Sequence, residues 1–288
     1  MIRRKLFRLK LPSRTLVLGE RTLVMGVLNV TPDSFSDGGK FFRLADAVKA
    51  ALAMERAGAD ILDIGAESTR PGSTGISAEE ELERLLPVLA GLRERLKIPV
   101  SIDTRKARVA EMTIGAGAAM LNDISGLRHD PKLAEVAARF GVPLILMHMR
   151  GTPRTMQKKP WAKDVLKDAT RGLRESVAIA RRAGVHPAQI VLDPGIGFGK
   201  SFEQNYELLA KLPALARLGY PLVVGTSRKG FIGATLARNG KPLPVEERIW
   251  GTAATVAASI LQGAHIVRVH DVEEMVQVAS VTDCLVNA

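Results

Sequence analysis

Cysteine, aromatic residues and long apolar segments are scarce in this chain of 288 residues. The single cysteine, Cys284, excludes an intramolecular disulfide and a cysteine-based zinc site. No apolar stretch reaches the length that a membrane-spanning helix requires, and the basic N-terminal segment lacks the apolar core of a signal peptide. We therefore expect a cytoplasmic protein with no membrane partner.

Several catalytic motifs are also absent. The sequence contains no HExxH and no GxSxG, and the first predicted strand ends in Leu-Asn-Val rather than in a His-x-His pair, which argues against a barrel zinc hydrolase. The segment GIGFGKS (195–201) ends like a phosphate-binding loop, but Pro194 stands where the first glycine belongs. It fails the GxGxxG pattern as well, because Lys200 replaces the third glycine.

Composition favours a parallel sheet that is covered by helices. Hydrophobic residues make up 46%, mostly Ala, Val, Leu and Ile, whereas aromatic residues make up only 4%. The net charge of +11 suits either nucleic acid or small anionic substrates. Because the arginines are scattered and only two Trp and two Tyr are present, the stacking surface of a nucleic-acid binder is not expected.

One junction recurs along the chain: an Ala-rich helical pattern, a glycine, and a short β-branched run. Glycine after a helix adopts the left-handed conformation that closes the last turn. Such junctions occur at Gly58, Gly117, Gly141, Gly219 and Gly263. Eight strands are predicted, at 22–30, 60–66, 99–104, 119–125, 142–149, 190–197, 221–228 and 266–271. This pattern predicts a TIM (β/α)8 barrel, with a doubly wound open sheet as the competing α/β fold.

No linker divides the chain, so residues 1–288 are predicted to form one domain. Residues 1–20 are predicted to be a β-strand extension or hairpin that closes the bottom of the barrel, because the segment LFRLKL alternates apolar and basic residues.

Polar residues end the predicted strands, and in a barrel those ends meet on the face that carries active sites. Taken singly, such residues often cap a helix or bind a loop amide, and Asp123 and Ser125 have that pattern. Taken together, they suit a flat polar heterocycle and an anion. The groups that would accept N–H donors from a ring edge are Asp103, Asn122 and Asp193.

The last two strands carry the groups for an anion, which are Lys229, Arg268 and His270. Barrels frequently bind phosphate after strands seven and eight, so a phosphate or diphosphate is expected there. Asn29 offers a hard oxygen ligand for Mg²⁺, the expected metal. Met147 and Phe198 offer apolar faces on which a ring can stack.

At this point the residues match a known family. The segments MGVLNVTPDSFSDGG and DIGAESTRPG resemble the two signature segments of the dihydropteroate synthases. SIDT, LNDISG, LDPGIGFGK, GTSRKGFIG and RVHD follow in the order and spacing of that family. The resemblance implies condensation of (7,8-dihydropterin-6-yl)methyl diphosphate with 4-aminobenzoate, which yields dihydropteroate and pyrophosphate in folate biosynthesis. It also implies a homodimer.

The resemblance further implies a role for each matching residue. Asp103, Asn122, Asp193 and Lys229 correspond to the pterin-binding set, and Arg268 with His270 to the pyrophosphate-binding pair. Asn29 corresponds to the Mg²⁺ ligand. The parts that enclose 4-aminobenzoate correspond to Phe35, Thr69, Arg70, Pro71 and Ser227. An SN1-like route through a cationic pterin methylene fits the absence of a nucleophile–base pair, and Asp37 would face the developing positive charge.

Two alternatives remain open from the sequence. A pterin-dependent methyltransferase would share the barrel and the pterin carboxylates, but it would require a corrinoid partner and not the diphosphate cations. A non-catalytic pterin-binding or nucleic-acid-binding protein is the alternative from another class.

Overall fold

The structure is a computed structural model that describes residues 4–31, 40–68, 72–158, 160 and 162–288, with the backbone alone for 40–43. Eight parallel strands form its main sheet in the order β8-β7-β6-β5-β4-β3-β10-β9. They are β3 (Leu23–Asn29), β4 (Ile61–Gly65), β5 (Val100–Asp103), β6 (Met120–Asp123), β7 (Leu144–Met147), β8 (Ile190–Asp193), β9 (Val223–Val224) and β10 (Ile266–Val269). A single parallel bridge between Leu192 and Leu222 joins the two ends of this order, so the sheet is a nearly closed barrel.

Helices follow the strands and cover the outside of the barrel. They are α1 (Lys40–Arg56), α2 (Ala78–Leu92), α3 (Ala107–Gly115), α4 (Lys132–Phe140), α5 (Val165–Arg182), α6 (Phe202–Ala210), α7 (Leu212–Ala216), α8 (Gly230–Thr235), α9 (Ile249–Leu261) and α10 (Val272–Asn287). The five junction glycines all have positive φ, between 63° and 108°. The nearly closed barrel of eight parallel strands with helices outside confirms the predicted TIM barrel. Within the described ranges, no helix is both long enough and apolar enough to cross a membrane.

The seventh barrel strand is shorter than predicted. The sequence favoured a strand over 221–228, but only Val223–Val224 pair with β10. Beyond them the chain turns, with the Lys229 amide donating to the Thr226 carbonyl at 3.2 Å and Arg228 at a φ of 59°. The polar end of the predicted strand is therefore a turn that leads into α8.

Alternate residues of each strand face the barrel interior, and at the amino ends these residues are apolar. They share one buried cluster, which includes Met25, Ile61, Met120, Ile145, Val191, Val223 and Ile266. The N-terminal segment forms an antiparallel hairpin, β1 (Phe7–Lys10) with β2 (Thr15–Leu18). Its Leu9 and Leu18 belong to the same cluster, so the hairpin covers the bottom of the barrel.

A buried polar cluster ties the N-terminal segment to the C-terminal helix α10. The Arg4 guanidinium donates to Asp283 Oδ1 at 2.6 Å, to Thr22 Oγ1 at 2.6 Å and to the Ala264 carbonyl at 3.2 Å. Nearby, the Leu222 amide donates to His265 Nδ1 at 3.2 Å, and the His265 ring meets Phe7 edge-on. These contacts lie at the amino ends of the strands, away from the opposite face of the barrel.

Candidate active site

Strand alternation places the predicted polar residues in one layer at the carboxyl ends of the strands. Asp63 lies two residues after the inward-facing Ile61, and Asn122 two residues after Met120, so each points to the same side as its apolar predecessor. Met147, Asp193 and Arg268 likewise lie two residues after inward-facing members of the apolar layer, so they point to the same side. The intervening Leu62, Ile64, Leu121, Leu146 and Leu192 face outward and pack in the helix-covered core.

Arg268 crosses the barrel mouth and bridges two carboxylates. Its Nε donates to Asp63 Oδ2 at 2.7 Å, and one terminal nitrogen donates to Asp103 Oδ2 at 2.9 Å. Asn122 Nδ2 also donates to Asp63 Oδ2, at 3.0 Å. Its guanidinium thereby compensates the charge of the buried acids, and its predicted contact with an anion stays a prediction.

Burial raises the pKa of two acids at the barrel mouth, Asp103 and Asp193. Burial raises the pKa of Asp103 to about 7, an effect that the Arg268 charge opposes and the Asp63 charge reinforces. Burial also raises the pKa of Asp193, although the Gly195 amide, 2.6 Å from Asp193 Oδ1, and the Lys229 ammonium favour the ionised form. The mouth therefore carries carboxylates whose charge is sensitive to what binds beside them.

Two buried acceptor atoms in the mouth lack a hydrogen-bond donor. Among the described residues, Asp63 Oδ1 and Asn122 Oδ1 are shielded from solvent and have no partner. A buried polar atom without a partner carries a desolvation penalty, so such atoms mark a place where a ligand or water belongs. Both atoms are acceptors, and the complementary ligand therefore presents N–H donors at an edge.

Lys229 is positioned by the turn that shortens β9. Asp271 binds the Arg228 guanidinium through Nε at 3.0 Å, and Arg248 donates to the Arg228 carbonyl at 2.9 Å. These contacts hold Arg228 in the left-handed turn. The side chain of the next residue, Lys229, then lies with its Nζ 4.0 Å from the centre of the Phe198 ring. Burial, with the Arg268 charge, lowers the pKa of Lys229 to about 8.

The imidazole of His270 is buried beside cationic side chains. Burial and the neighbouring Arg268 charge lower the pKa of its imidazole to about 3. Its Nδ1 lies 3.0 Å from Ser227 Oγ, which also accepts the His270 amide at 3.2 Å. The sequence grouped His270 with the residues for an anion, and that role stays a prediction; burial favours the uncharged ring, which can still act as a hydrogen-bonding group.

An apolar wall flanks the acids. Met147 and Phe198 are both buried and belong to one small cluster with Ile124, Met149 and Met156. Since the Lys229 ammonium lies over the Phe198 ring, the wall and the polar set meet at Phe198. A flat ring can stack on this wall with its polar edge toward the acids.

Asn29 ends β3 on the same face, with an exposed side chain opposite Gly65 of β4. Within the ranges that the structure describes, no three His, Cys, Asp or Glu residues are close enough to hold a metal ion. One carboxamide oxygen suits Mg²⁺, which keeps several waters and binds mainly through substrate phosphates.

Known proteins with the same sequence pattern share this architecture. The family model for pterin-binding enzymes matches residues 25–270. A dihydropteroate synthase from Synechocystis is 52% identical over 93% of this chain and 91% of its own length. The chain belongs to the dihydropteroate synthase family.

Two solved structures of the family extend the match to three dimensions. A dihydropteroate synthase from Clostridium difficile, solved with pteroic acid, is 45% identical and has a TM-score of 0.87 over 93% of this chain and 98% of that one. The Xanthomonas albilineans enzyme with 4-aminobenzoic acid is 41% identical, with a TM-score of 0.89 over 98% of each chain.

The structure brings together most of the residues that the family resemblance singled out. Asp103, Asn122 and Arg268 form one hydrogen-bonded group with Asp63, and Phe198 pairs with Lys229. The predicted Phe35, Asp37, Thr69, Arg70 and Pro71 lie outside the described residues.

Asp63 joins the site although the sequence-based set omitted it. The available signal was an acid two positions after an inward-facing isoleucine, in a strand that is otherwise apolar.

Proposed function

We propose that this chain, as a dihydropteroate synthase, joins (7,8-dihydropterin-6-yl)methyl diphosphate to 4-aminobenzoate at the barrel mouth. The observation that carries this assignment is the pair of buried acceptors without donors, Asp63 Oδ1 and Asn122 Oδ1. A pterin edge presents several N–H donors in a plane and complements them. Asp103 and Asp193 extend this acceptor set around the mouth, and Met147 with Phe198 supplies the face for stacking.

The reaction replaces a carbon–oxygen bond with a carbon–nitrogen bond. The bond between the pterin methylene and the diphosphate breaks first, and the leaving oxygen keeps the electron pair. The nearby carboxylates then stabilise the cationic methylene, as Asp37 also would in this proposal. The amine of 4-aminobenzoate attacks through its lone pair and releases a proton to solvent. No covalent nucleophile or strong base is required, since an arylamine is already neutral at pH 7.

Cationic and neutral donors at the mouth are proposed to hold the diphosphate. Arg268 is bound to Asp63 and Asp103, so it links the pterin side of the mouth to the side of β10 that carries His270. We propose that Arg268 and the neutral His270 donate to the leaving group, and that Lys229 stabilises the pterin.

Asn29 is proposed to hold Mg²⁺ through its side-chain oxygen. The metal would neutralise negative charge on the leaving diphosphate.

The site for 4-aminobenzoate is proposed to lie beside Ser227. Ser227 Oγ is buried at the mouth and already faces His270. Phe35, Thr69, Arg70 and Pro71 complete the proposed enclosure, as the family resemblance implies.

The first experiment measures pyrophosphate released from the pterin diphosphate with Mg²⁺, with and without 4-aminobenzoate. We expect dihydropteroate and pyrophosphate in equal amounts when the amine is present. No release, together with tight pterin binding, would instead favour a methyltransferase or a non-catalytic binder.

We also propose that the chain is a single-domain protein that forms a homodimer. Apolar side chains are exposed on the helices α6 and α9 and at Leu236, the residue after α8, and the largest of them, Trp250, is 81% exposed. Trp250→Glu is expected to yield monomers in sedimentation experiments. Val281→Glu, at a 67% exposed position on α10, is the matched control and should leave the dimer intact. Residence in the cytoplasm stays a prediction of the sequence.

A further inference from the structure

Lys200 is a fully enclosed lysine in the segment that resembled a phosphate loop. Its side chain is 1% exposed, and its ammonium donates to the carbonyls of Gly195 at 2.8 Å, Phe198 at 3.1 Å and His148 at 3.3 Å. An ammonium has three donors, and here all three have acceptors inside the protein. Its hydrogen-bonding capacity is therefore used by backbone, which is not the arrangement of a lysine that reaches for a phosphate.

The backbone of this loop is wound tightly around the ammonium. Gly195, Gly197 and Gly199 all have positive φ, at 67°, 85° and 66°. A side chain at Gly195 would place its Cβ only 1.9 Å from the His148 carbonyl oxygen, so the loop lies directly against the segment that follows β7. This close approach puts carbonyls from two different loops within reach of one nitrogen.

Both loops supply walls of the proposed pterin site. Asp193 precedes the wound segment, accepts the Gly195 amide through its side chain at 2.6 Å and accepts the His148 amide through its carbonyl at 3.0 Å. Phe198, whose carbonyl binds Lys200, presents its ring to Lys229. The loop after β7 directly follows Met147, which ends that strand and is the other member of the apolar wall.

A buried cation requires a specific reason, because an apolar residue of similar volume avoids the desolvation penalty. Burial lowers the pKa of Lys200 to about 7, against the opposing charge of Asp193. The three carbonyls that accept from the ammonium supply such a reason.

We propose that Lys200 is a positioning residue that fastens the loop after β8 to the loop after β7, and thereby sets Asp193 and Phe198 for the pterin ring. This inference rests on the proposed function only for the identity of the ligand. The fastening itself concerns residues 195–200 and His148, and it is measurable without any ligand.

The first test is Lys200→Met, which keeps most of the stem and removes the donors. We expect the dissociation constant for 6-hydroxymethylpterin, followed by its fluorescence, to rise at least about tenfold, since more than one charge-assisted hydrogen bond is lost. The KM for 4-aminobenzoate should stay within about twofold of the wild-type value, because the proposed 4-aminobenzoate residues lie outside the fastened loop. Amide hydrogen exchange at 195–200 should accelerate in the absence of ligand.

Arg4→Met is the matched control. Arg4 is also a buried cation with three hydrogen-bond acceptors, but it lies at the bottom of the barrel. This variant should lose stability while the pterin dissociation constant and exchange at 195–200 stay at wild-type values.

Chemical rescue separates the ammonium from mere packing. Lys200→Ala leaves a space that matches propylammonium, and millimolar propylammonium should restore pterin affinity. 1-Propanol fills the same space without the charge and with only one donor, so it should not.

Three results would overturn the inference. The first is unchanged pterin affinity and loop exchange in Lys200→Met. The second is equal rescue by propanol and propylammonium. The third is failure of both Lys200→Met and Lys200→Ala to fold, which would show that the lysine supports the whole barrel and not this loop in particular. An inactive wild-type chain would refute the proposed function instead, while faster exchange at 195–200 in Lys200→Met would still support the fastening.

Discussion

Asp63→Asn is the change that tests the proposed pterin site most directly. The substitution keeps the shape of a fully buried side chain and removes its charge. Asp63 Oδ2 accepts from Arg268 and Asn122, while Oδ1 has no partner and is assigned to the ligand. If the oxygen of the new amide faces Arg268, its NH₂ group faces the ligand. That NH₂ group would then meet an N–H donor of the pterin edge instead of accepting from it.

The expected loss follows from one charge-assisted hydrogen bond. Such a bond contributes about 1.5–3 kcal/mol, so the dissociation constant for 6-hydroxymethylpterin should rise roughly 10- to 150-fold. A second effect concerns Asp103. Without the Asp63 charge, the pKa of Asp103 falls below its value of about 7, and its ionised form is favoured. The pH midpoint of pterin binding should therefore move down in this variant.

Asp60→Asn supplies the matched control at the other end of β4. Asp60 Oδ2 accepts from Arg21 at 2.9 Å and from the Val24 amide at 2.9 Å, so this acid also binds an arginine and a second donor. Titration by pterin fluorescence and unfolding by urea are measured for both variants. A pterin affinity within about threefold of wild type in Asp63→Asn, or an equal loss in both variants, would refute the assignment of Oδ1 to the ligand.

Three further changes test the electrostatics. Because binding of N–H donors requires ionised Asp103, pterin affinity should increase as pH rises through about 7, and Asp103→Asn should abolish this dependence; a flat wild-type titration would contradict it. Burial lowers the pKa of His265 to about 4, so its contribution to stability is complete above the unfolded pKa of about 6.5 and is lost as pH falls toward 4. At pH 5 the loss is about 2 kcal/mol, and urea unfolding of His265→Gln should be less sensitive to acid by that amount; equal sensitivity would contradict the assignment. Asn29→Ala should raise the Mg²⁺ concentration for half-maximal pyrophosphate release severalfold without changing pterin affinity in EDTA, and an unchanged Mg²⁺ requirement would remove Asn29 as the ligand.

Much of the fold could be predicted from local rules. Gly58 and its four counterparts mark helix ends because the left-handed conformation is easily accessible only to glycine, and that preference requires no tertiary context. The end of β9 was predicted wrongly because the residues after Val224 form a turn that Asp271 and Arg248 hold from distant parts of the chain. Contacts of that range leave no local signal.

The site was predictable by residue type but not by pairing. Strand ends identified Asp103, Asn122 and Asp193, since carboxyl ends of barrel strands converge. The direction of the Arg268 side chain and the lowered pKa of His270 depend on desolvation and on competing charges, which the order of residues does not specify. Asp63 was accessible through alternation within β4 alone.

The closure between β8 and β9 has a mechanical consequence. In the described part of the barrel, β8 and β9 are linked by one bridge between Leu192 and Leu222, with the Leu192 amide bound to the Pro221 carbonyl at 2.9 Å. The other neighbouring barrel strands pair at two to five positions. Local opening of the barrel should therefore begin along this junction. Asp193 lies just after β8 pairs at this junction, and Lys229 lies beyond β9. A pterin that contacts both residues, as we propose, would therefore hold the two sides of the junction together. The free energy of pterin binding would then also stabilise the barrel against opening between β8 and β9.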